Sequence, residues 1–241
     1  MRVAVLSDVH ANAVALESVL ADSRSKGVDF CVFLGDLVVN GPSPKESLDL
    51  LKETGPQVWI KGNTDAWFDE IDENWQPTSS KEREYLEIYR YAASRLQVSD
   101  IETLKTRPVS QSFDCKGVKV LAVHGSPRSF TEGMDSSVPR GKLEEMVADV
   151  GEDVILCGHT HTAWKDMVGR RTIVNVGSVG FPMDRDVRAS YCLIEVEEDR
   201  GPEIHIIRVE YGLEENIGIA VSNNLPFIDR YERILRTAQF Q

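Results

Sequence analysis

The sequence predicts an α/β fold, and three observations lead there. Short apolar runs recur along the chain, each stopped at once by a polar or glycine-containing turn, which is the pattern of buried strands. Helical patterns separate the first three runs, giving β-α-β-α-β and therefore parallel strands with helices packed on the sheet faces. The third observation is chemical. The runs end in Asp, Asn and His, and the carboxyl edge of an open α/β sheet is where ligands bind.

Val3–Leu6 is the first strand, and it stops at Ser7-Asp8-Val9-His10. Asn12 is a good helix N-cap, and Leu16, Val19 and Leu20 repeat at helical spacing up to Lys26-Gly27. Asp29–Leu34 is a second strand ending in Gly35-Asp36. Ser43-Pro44-Lys45-Glu46 is a capping box with proline at the first helical position, so a helix runs from Pro44 to about Glu53. Gln57–Lys61 is a third strand, stopping at Gly62-Asn63-Thr64-Asp65.

The rhythm then breaks. Residues 66–80 are polar and read as a long loop. Lys81–Gln97 is helical, and Ser99-Asp100-Ile101-Glu102 opens a short helix that closes before Pro108. The segment 66–110 is expected to be a helical insertion beside the site, within one domain spanning residues 1–241. Gly117–Val123 is the fourth strand, ending in His124. A helix over Lys142–Val150 and a strand over Asp153–Cys157 follow, and the strand stops at Gly158-His159-Thr160-His161. Lys165–Val168 with Thr172–Val176 forms one hairpin; Ser190–Glu197 with Glu203–Tyr211 forms another. Two C-terminal helices split at Pro226.

Composition narrows the function. Net charge is −12, with no Lys/Arg-rich run, so a nucleic-acid polymer is an unlikely ligand. No apolar stretch approaches the roughly 18 residues a membrane span needs, and the first residues show no signal-peptide layout, so a cytoplasmic location is expected. Cys31, Cys115, Cys157 and Cys192 are scattered and read as free thiols.

The polar strand ends are Asp8/His10, Asp36, Asn63, His124 and His159/His161, and they hold four of the chain's five histidines. Imidazole with carboxylate oxygen suits Mn, Fe, Zn or Ni. Seven such groups are too many for one ion, which points to two, with Asp36, alone on its strand end, as the carboxylate that bridges them. Two ions about 3.5–4 Å apart clamp both the attacking and the leaving oxygen of an in-line displacement at phosphorus. The fifth histidine, His205, lies in an apolar strand and reads as a structural residue. Cys157 reads as a small buried residue, and Arg128 and Arg185 as solvated. Trp67 and Trp75 are read as packing for the insertion, with stacking on a base or aryl group as the alternative.

Six blocks in order, Ser7–Asn12, Gly35–Val38, Gly62–Asp65, Val123–Ser126, Gly158–His161 and Asn175–Gly180, resemble the calcineurin-like metallophosphoesterases over about residues 1 to 210. The short C-terminal portion and the run Arg188–Tyr191 are most similar to the small bacterial and archaeal phosphodiesterase branch. The resemblance implies a four-layer sandwich of two mixed β-sheets flanked by helices. It implies Asp8, His10 and His161 on a first metal, Asn63, His124 and His159 on a second, Asp36 shared, and a bridging hydroxide as nucleophile, with Asp36, Asn63 and His124 central to catalysis. Manganese is the favoured ion, and the expected partner is a small phosphodiester. A phosphomonoesterase or dinucleoside-polyphosphate hydrolase is the rival within the enzyme class, and a scaffold that lost its chemistry is the rival outside it. One position departs from the family pattern: Thr64 stands where a histidine near the leaving group is usual.

Overall fold

The computed structural model describes residues 1–72, 74–197 and 200–240. Two mixed five-stranded sheets form its centre. The first comprises β1 (Arg2–Leu6), β2 (Phe30–Phe33), β3 (Val58–Trp59), β9 (Ala189–Glu195) and β10 (Glu203–Val209), in the order β10-β9-β1-β2-β3. The second comprises β4 (Ser110–Cys115), β5 (Val118–Val123), β6 (Val154–Cys157), β7 (Trp164–Val168) and β8 (Arg171–Asn175), in the order β4-β5-β6-β8-β7. β1, β2 and β3 run parallel, as do β5, β6 and β8, so the carboxyl ends of both parallel sets carry polar turns.

Side-chain alternation along β1 sets the layering. Val3 and Val5 face a core shared with Val120, Ala122, Leu156 and Val174 of the second sheet. Ala4 and Leu6 face the opposite side, where they meet Leu16, Val19 and Leu20 of α1 (Ala13–Ser25) and Leu48 and Leu51 of α2 (Pro44–Thr54). Both faces of this strand are buried, which is why it reads as a continuous apolar run. The outer face of the second sheet is covered by α6 (Arg140–Met146), through Leu143 and Met146. Helices outside two facing sheets make the expected four layers.

Three further helices lie between β3 and β4: α3 (Asn63–Glu70), α4 (Ser80–Ala93) and α5 (Val98–Lys105). α3 corrects the long loop expected from residue 66. Asp65 nucleates it, its carboxylate accepting from the Gly62 N–H at 3.0 Å, and Phe68 anchors it in the core. α4 starts at a reciprocal cap in which Ser79 Oγ accepts from the Glu82 N–H at 3.1 Å. The cap of α5 lies two residues earlier than expected, at Gln97, whose N–H donates to Asp100. The expected strand over Gln57–Lys61 shrinks to Val58–Trp59, although the Gln57 and Ile60 N–H groups still donate to Cys31 and Phe33 of β2, and the Lys61 N–H donates to Pro108.

The C-terminal helices α7 (Leu213–Ser222) and α8 (Ile228–Thr237) close the chain on either side of Pro226. Ile217, Tyr231, Ile234 and Leu235 pack there with Tyr91 and Phe181. No helix among the described residues is long and apolar enough to cross a membrane.

Candidate metal centre

The loops that follow β1, β2, β3, β5 and β6 converge, and all seven side chains singled out in the sequence meet there. Asp8 Oδ1 lies 3.1 Å from His161 Nε2 and 3.6 Å from His10 Nε2. Those two imidazole nitrogens are 3.1 Å apart. On the other side, Asn63 Oδ1 lies 3.0 Å from His124 Nε2 and 2.7 Å from His159 Nδ1. Asp36 Oδ2 sits between the two groups, 3.6 Å from His10 Nε2 and 3.6 Å from His124 Nε2. Asp8 Oδ1 also lies 3.9 Å from His124 Nε2, so the seven donors form one contiguous cluster.

Hydrogen bonding fixes which ring nitrogens face inward. His10, His124 and His161 each turn Nδ1 to a backbone carbonyl, of Val39 at 2.9 Å, Leu34 at 2.8 Å and Phe181 at 2.5 Å. A carbonyl only accepts, so Nδ1 carries the proton and Nε2 presents its lone pair to the cluster. Two lone pairs at 3.1 Å repel unless a proton or a metal cation lies between them. His159 repeats the arrangement with its nitrogens exchanged: Nε2 faces the Thr131 carbonyl at 3.2 Å, leaving Nδ1 to face the Asn63 oxygen. Asp8 Oδ1 is fully buried and has no hydrogen-bond donor. The residues fit divalent cations: oxygen and imidazole donors aimed at one volume, with the four imidazoles, Asp8 and Asp36 each held from behind by a second partner.

Electrostatics point the same way. Burial disfavours charge on Asp8, but His161 and His124 outweigh it and hold the carboxyl well below its ordinary value. Burial also opposes ionisation of Asp36, and His124 and His10 overcome it, bringing the carboxyl to about 2. His124 resists protonation through burial, yet Asp36 and Asp8 raise it to about 10. His159 moves down, through burial and then the charge of His124. The buried carboxylates demand positive charge beside them, as protons on the imidazoles or as metal cations that displace those protons.

The backbone is bent hard to achieve this. Asp8, His10, Asp36, His159 and His161 all adopt positive φ, between 47° and 68°. Left-handed backbone is uncommon outside glycine, and its concentration at one place is typical of functional sites. Asp65 holds two of the turns together. Its carboxylate accepts from the N–H groups of Asp36 at 2.8 Å, Leu37 at 3.1 Å and Gly62 at 3.0 Å. Asn175 does the same for the last turn, donating to the carbonyls of Gly158 and Met134, while Ser178 Oγ donates to the Asp8 carbonyl and accepts from the Phe181 N–H. Asp65→Ala leaves three N–H groups without that acceptor, and a buried unsatisfied group costs about 1–3 kcal/mol. The expected result is a loss of about 3 kcal/mol or more in urea unfolding, together with lost metal affinity.

The remaining residues fall into place around this cluster. Cys157 is fully buried in the core, as read from the sequence, and His205 lies exposed on β10, 3.8 Å from Glu195 and 3.7 Å from Glu203. Arg128 is engaged by Glu132. Trp67 packs on Tyr85 of α4, with ring centroids 4.9 Å apart. It also lines a cavity of about 470 Å³ that opens onto His10, Asp36, Asn63, His159 and His161. The sequence reading missed the far wall of this cavity, which comes from α8. It also missed Asp65 as the brace of the cluster, although that residue stands in the Gly62–Asp65 block.

Comparisons with known proteins bear on this site. Residues 1–199 match the family model described as the calcineurin-like phosphoesterase superfamily domain. An uncharacterised protein of Methanocaldococcus jannaschii is 26% identical over 246 residues, covering 93% of each chain. A probable metallophosphoesterase of the same organism is 28% identical over 76% of this chain and 70% of its own. Among solved structures, a metallophosphoesterase from Sphaerobacter thermophilus superposes with a TM-score of 0.78 at 27% identity, covering 99% of both chains. A hypothetical protein from Pyrococcus horikoshii superposes with a TM-score of 0.85 at 21% identity, covering 100% of this chain and 99% of its own, a likeness of fold.

Proposed function

Because the chain belongs to the calcineurin-like phosphoesterase superfamily, we propose that it is a two-metal phosphoesterase acting on small phosphodiesters. Asp8, His10 and His161 would hold one divalent ion and Asn63, His124 and His159 the other, with Asp36 as the carboxylate shared between them. The observation that carries this reading is the 3.1 Å approach of the His10 and His161 Nε2 atoms, each with its Nδ1 committed to a carbonyl. When bound, such ions lower the pKa of water from 15.7 towards ~7 and neutralise charge on the phosphoryl oxygens.

The protein's own part is to fix the ligands, exclude competing hydrogen bonds and admit the ester from the cavity side. Manganese suits this mixture of imidazole and oxygen donors. The charge of −12 favours a small ester over a polymer, since the bound cations are then the local attraction for phosphate. The diester preference rests on the likeness of the Arg188–Tyr191 run and the C-terminal portion to the small phosphodiesterase branch. With Mn²⁺ present, bis(p-nitrophenyl) phosphate is expected to be hydrolysed with higher kcat/KM than p-nitrophenyl phosphate. A preference for the monoester overturns the diesterase assignment.

Thr64 shapes the leaving-group range. Its N–H donates to Asp36 Oδ1 at 2.8 Å, and its buried Oγ1 has no partner, so this position anchors the bridging carboxylate and offers no strong acid. General acid catalysis typically contributes roughly 10²–10⁴-fold. Activity is therefore expected to be best on esters with acidic leaving groups. Thr64→His should raise turnover of diesters with poor leaving groups by about tenfold, a fraction of that range because the surrounding shell is not built for it. Parallel changes for good and poor leaving groups would show that no acid was missing.

A further inference from the structure

We propose that the cavity beside the metal centre binds a flat aromatic group, a nucleobase or aryl ring, carried on the substrate phosphate. This deepens the phosphoesterase reading and rests on it. The cavity is about 470 Å³, within the size range of small-molecule sites, and it is continuous with the ligand histidines. One wall is Trp67 with Tyr85, from the helices that follow β3. Phe227 and Tyr231, at the start of α8, also line the cavity. Tyr231 stacks on Phe181 at 5.6 Å and 15°, and Phe181 in turn meets His10 and His161 edge-on at 5.8 and 6.0 Å. Aromatic side chains thus run outward from the phosphate end, with Phe181 and Tyr231 buried and Trp67, Tyr85 and Phe227 partly exposed.

Two features favour a ring over a hydrocarbon chain. Lys81, Glu84 and Arg230 lie in the lining, and the Glu84–Arg230 pair, at 2.6 Å, ties α4 to α8. A hydrocarbon tail gains nothing from charged groups and pays to desolvate them, whereas the heteroatoms and π-face of a base use both hydrogen bonds and rings. Phe227 also holds a φ of +56°, an outlier for a bulky residue, and its ring lies 4.7 Å from the Arg230 guanidinium. Strain of this kind persists where surrounding contacts impose it, and here it turns an aromatic ring into the cavity lining. The α8 part of the lining lies outside residues 1–199, the region that the family model matches.

Phosphonates test this without turnover, because their P–C bond resists hydrolysis. Calorimetry on the Mn²⁺-loaded protein would compare methyl-, phenyl- and octylphosphonate. Stacking on aromatic side chains predicts that phenylphosphonate binds about tenfold tighter than methylphosphonate. Trp67→Leu and, separately, Phe227→Leu keep apolar bulk but remove a ring. Each should shrink the gap to about threefold or less while leaving methylphosphonate affinity within about twofold. Equal binding of phenyl- and methylphosphonate, with methylphosphonate bound and diesters hydrolysed, overturns the cavity assignment alone. Tighter binding of octylphosphonate that survives both variants assigns the cavity to an alkyl chain instead. Failure of every phosphonate to bind overturns the cavity and the metal-site reading together.

Discussion

Asp36→Asn is expected to lower kcat/KM on a phosphodiester by on the order of 100-fold or more, since even loss of a supporting partner of a metal ligand typically costs 10–100-fold. The geometry makes this substitution informative. Asp36 Oδ1 must accept from the Thr64 N–H, so the amide oxygen of asparagine takes that place. The NH₂ group is left facing His10 and His124, where Oδ2 stood 3.6 Å from each. An NH₂ group has no lone pair for a cation, so the shared position is lost while side-chain volume is kept. Thermal unfolding of the variant checks that the fold survives. Near-normal turnover in folded Asp36→Asn refutes the bridging role.

Gly62→Ala is expected to cause a comparable fall in activity through the same carboxylate, although it changes no ligand. A Cβ at Gly62 lands 2.1 Å from Asp36 Oδ1 and 2.5 Å from the Asp36 backbone nitrogen. Neither can step aside cheaply. The Asp36 N–H is held by Asp65, and on the other side a Cβ at Gly35 would itself fall 2.2 Å from the Gly62 nitrogen. The turns after β2 and β3 are packed backbone to backbone, and glycine is the residue that permits it. Overpacking of this kind costs about 1–3 kcal/mol in stability. The expected outcome is a lowered midpoint of thermal unfolding and a kcat/KM reduced about 100-fold, matching loss of the bridge. A variant with undiminished metal content and rate would show that the two turns are free to separate.

How legible the fold was depended on whether local pattern and tertiary environment agreed. β1 declares itself because both its faces are buried, and α1 because Asn12 caps it, accepting from the Ala15 N–H at 3.0 Å. β4 gives no such signal. Its residues, Ser110–Cys115, are mostly exposed and pair on one side only, with β5. α3 is hidden because it begins inside a polar motif and is only eight residues long, with its cap supplied by Asp65, whose other role is to hold a neighbouring loop.

The site divides in the same way. Asp8, His10, Asp36, Asn63, His124, His159 and His161 could be listed from the sequence because each ends or closely follows a strand, and strand ends in a parallel sheet share an edge. Their pairing could not be read from periodicity, since it depends on left-handed turns such as those at His159 and His161. The cavity wall was hidden for another reason. The aromatic and charged residues of α8 acquire meaning only when that helix packs across from α4, more than a hundred residues away in sequence.

The central claim is that these seven side chains hold a pair of cations. Metal analysis after Mn²⁺ loading and gel filtration, on protein purified without chelator, tests it most directly. About two ions per chain are expected, as for two-metal phosphoesterases, with clear loss in Asp36→Asn. Fewer than one ion per chain, or a content unaltered by Asp36→Asn, contradicts the account.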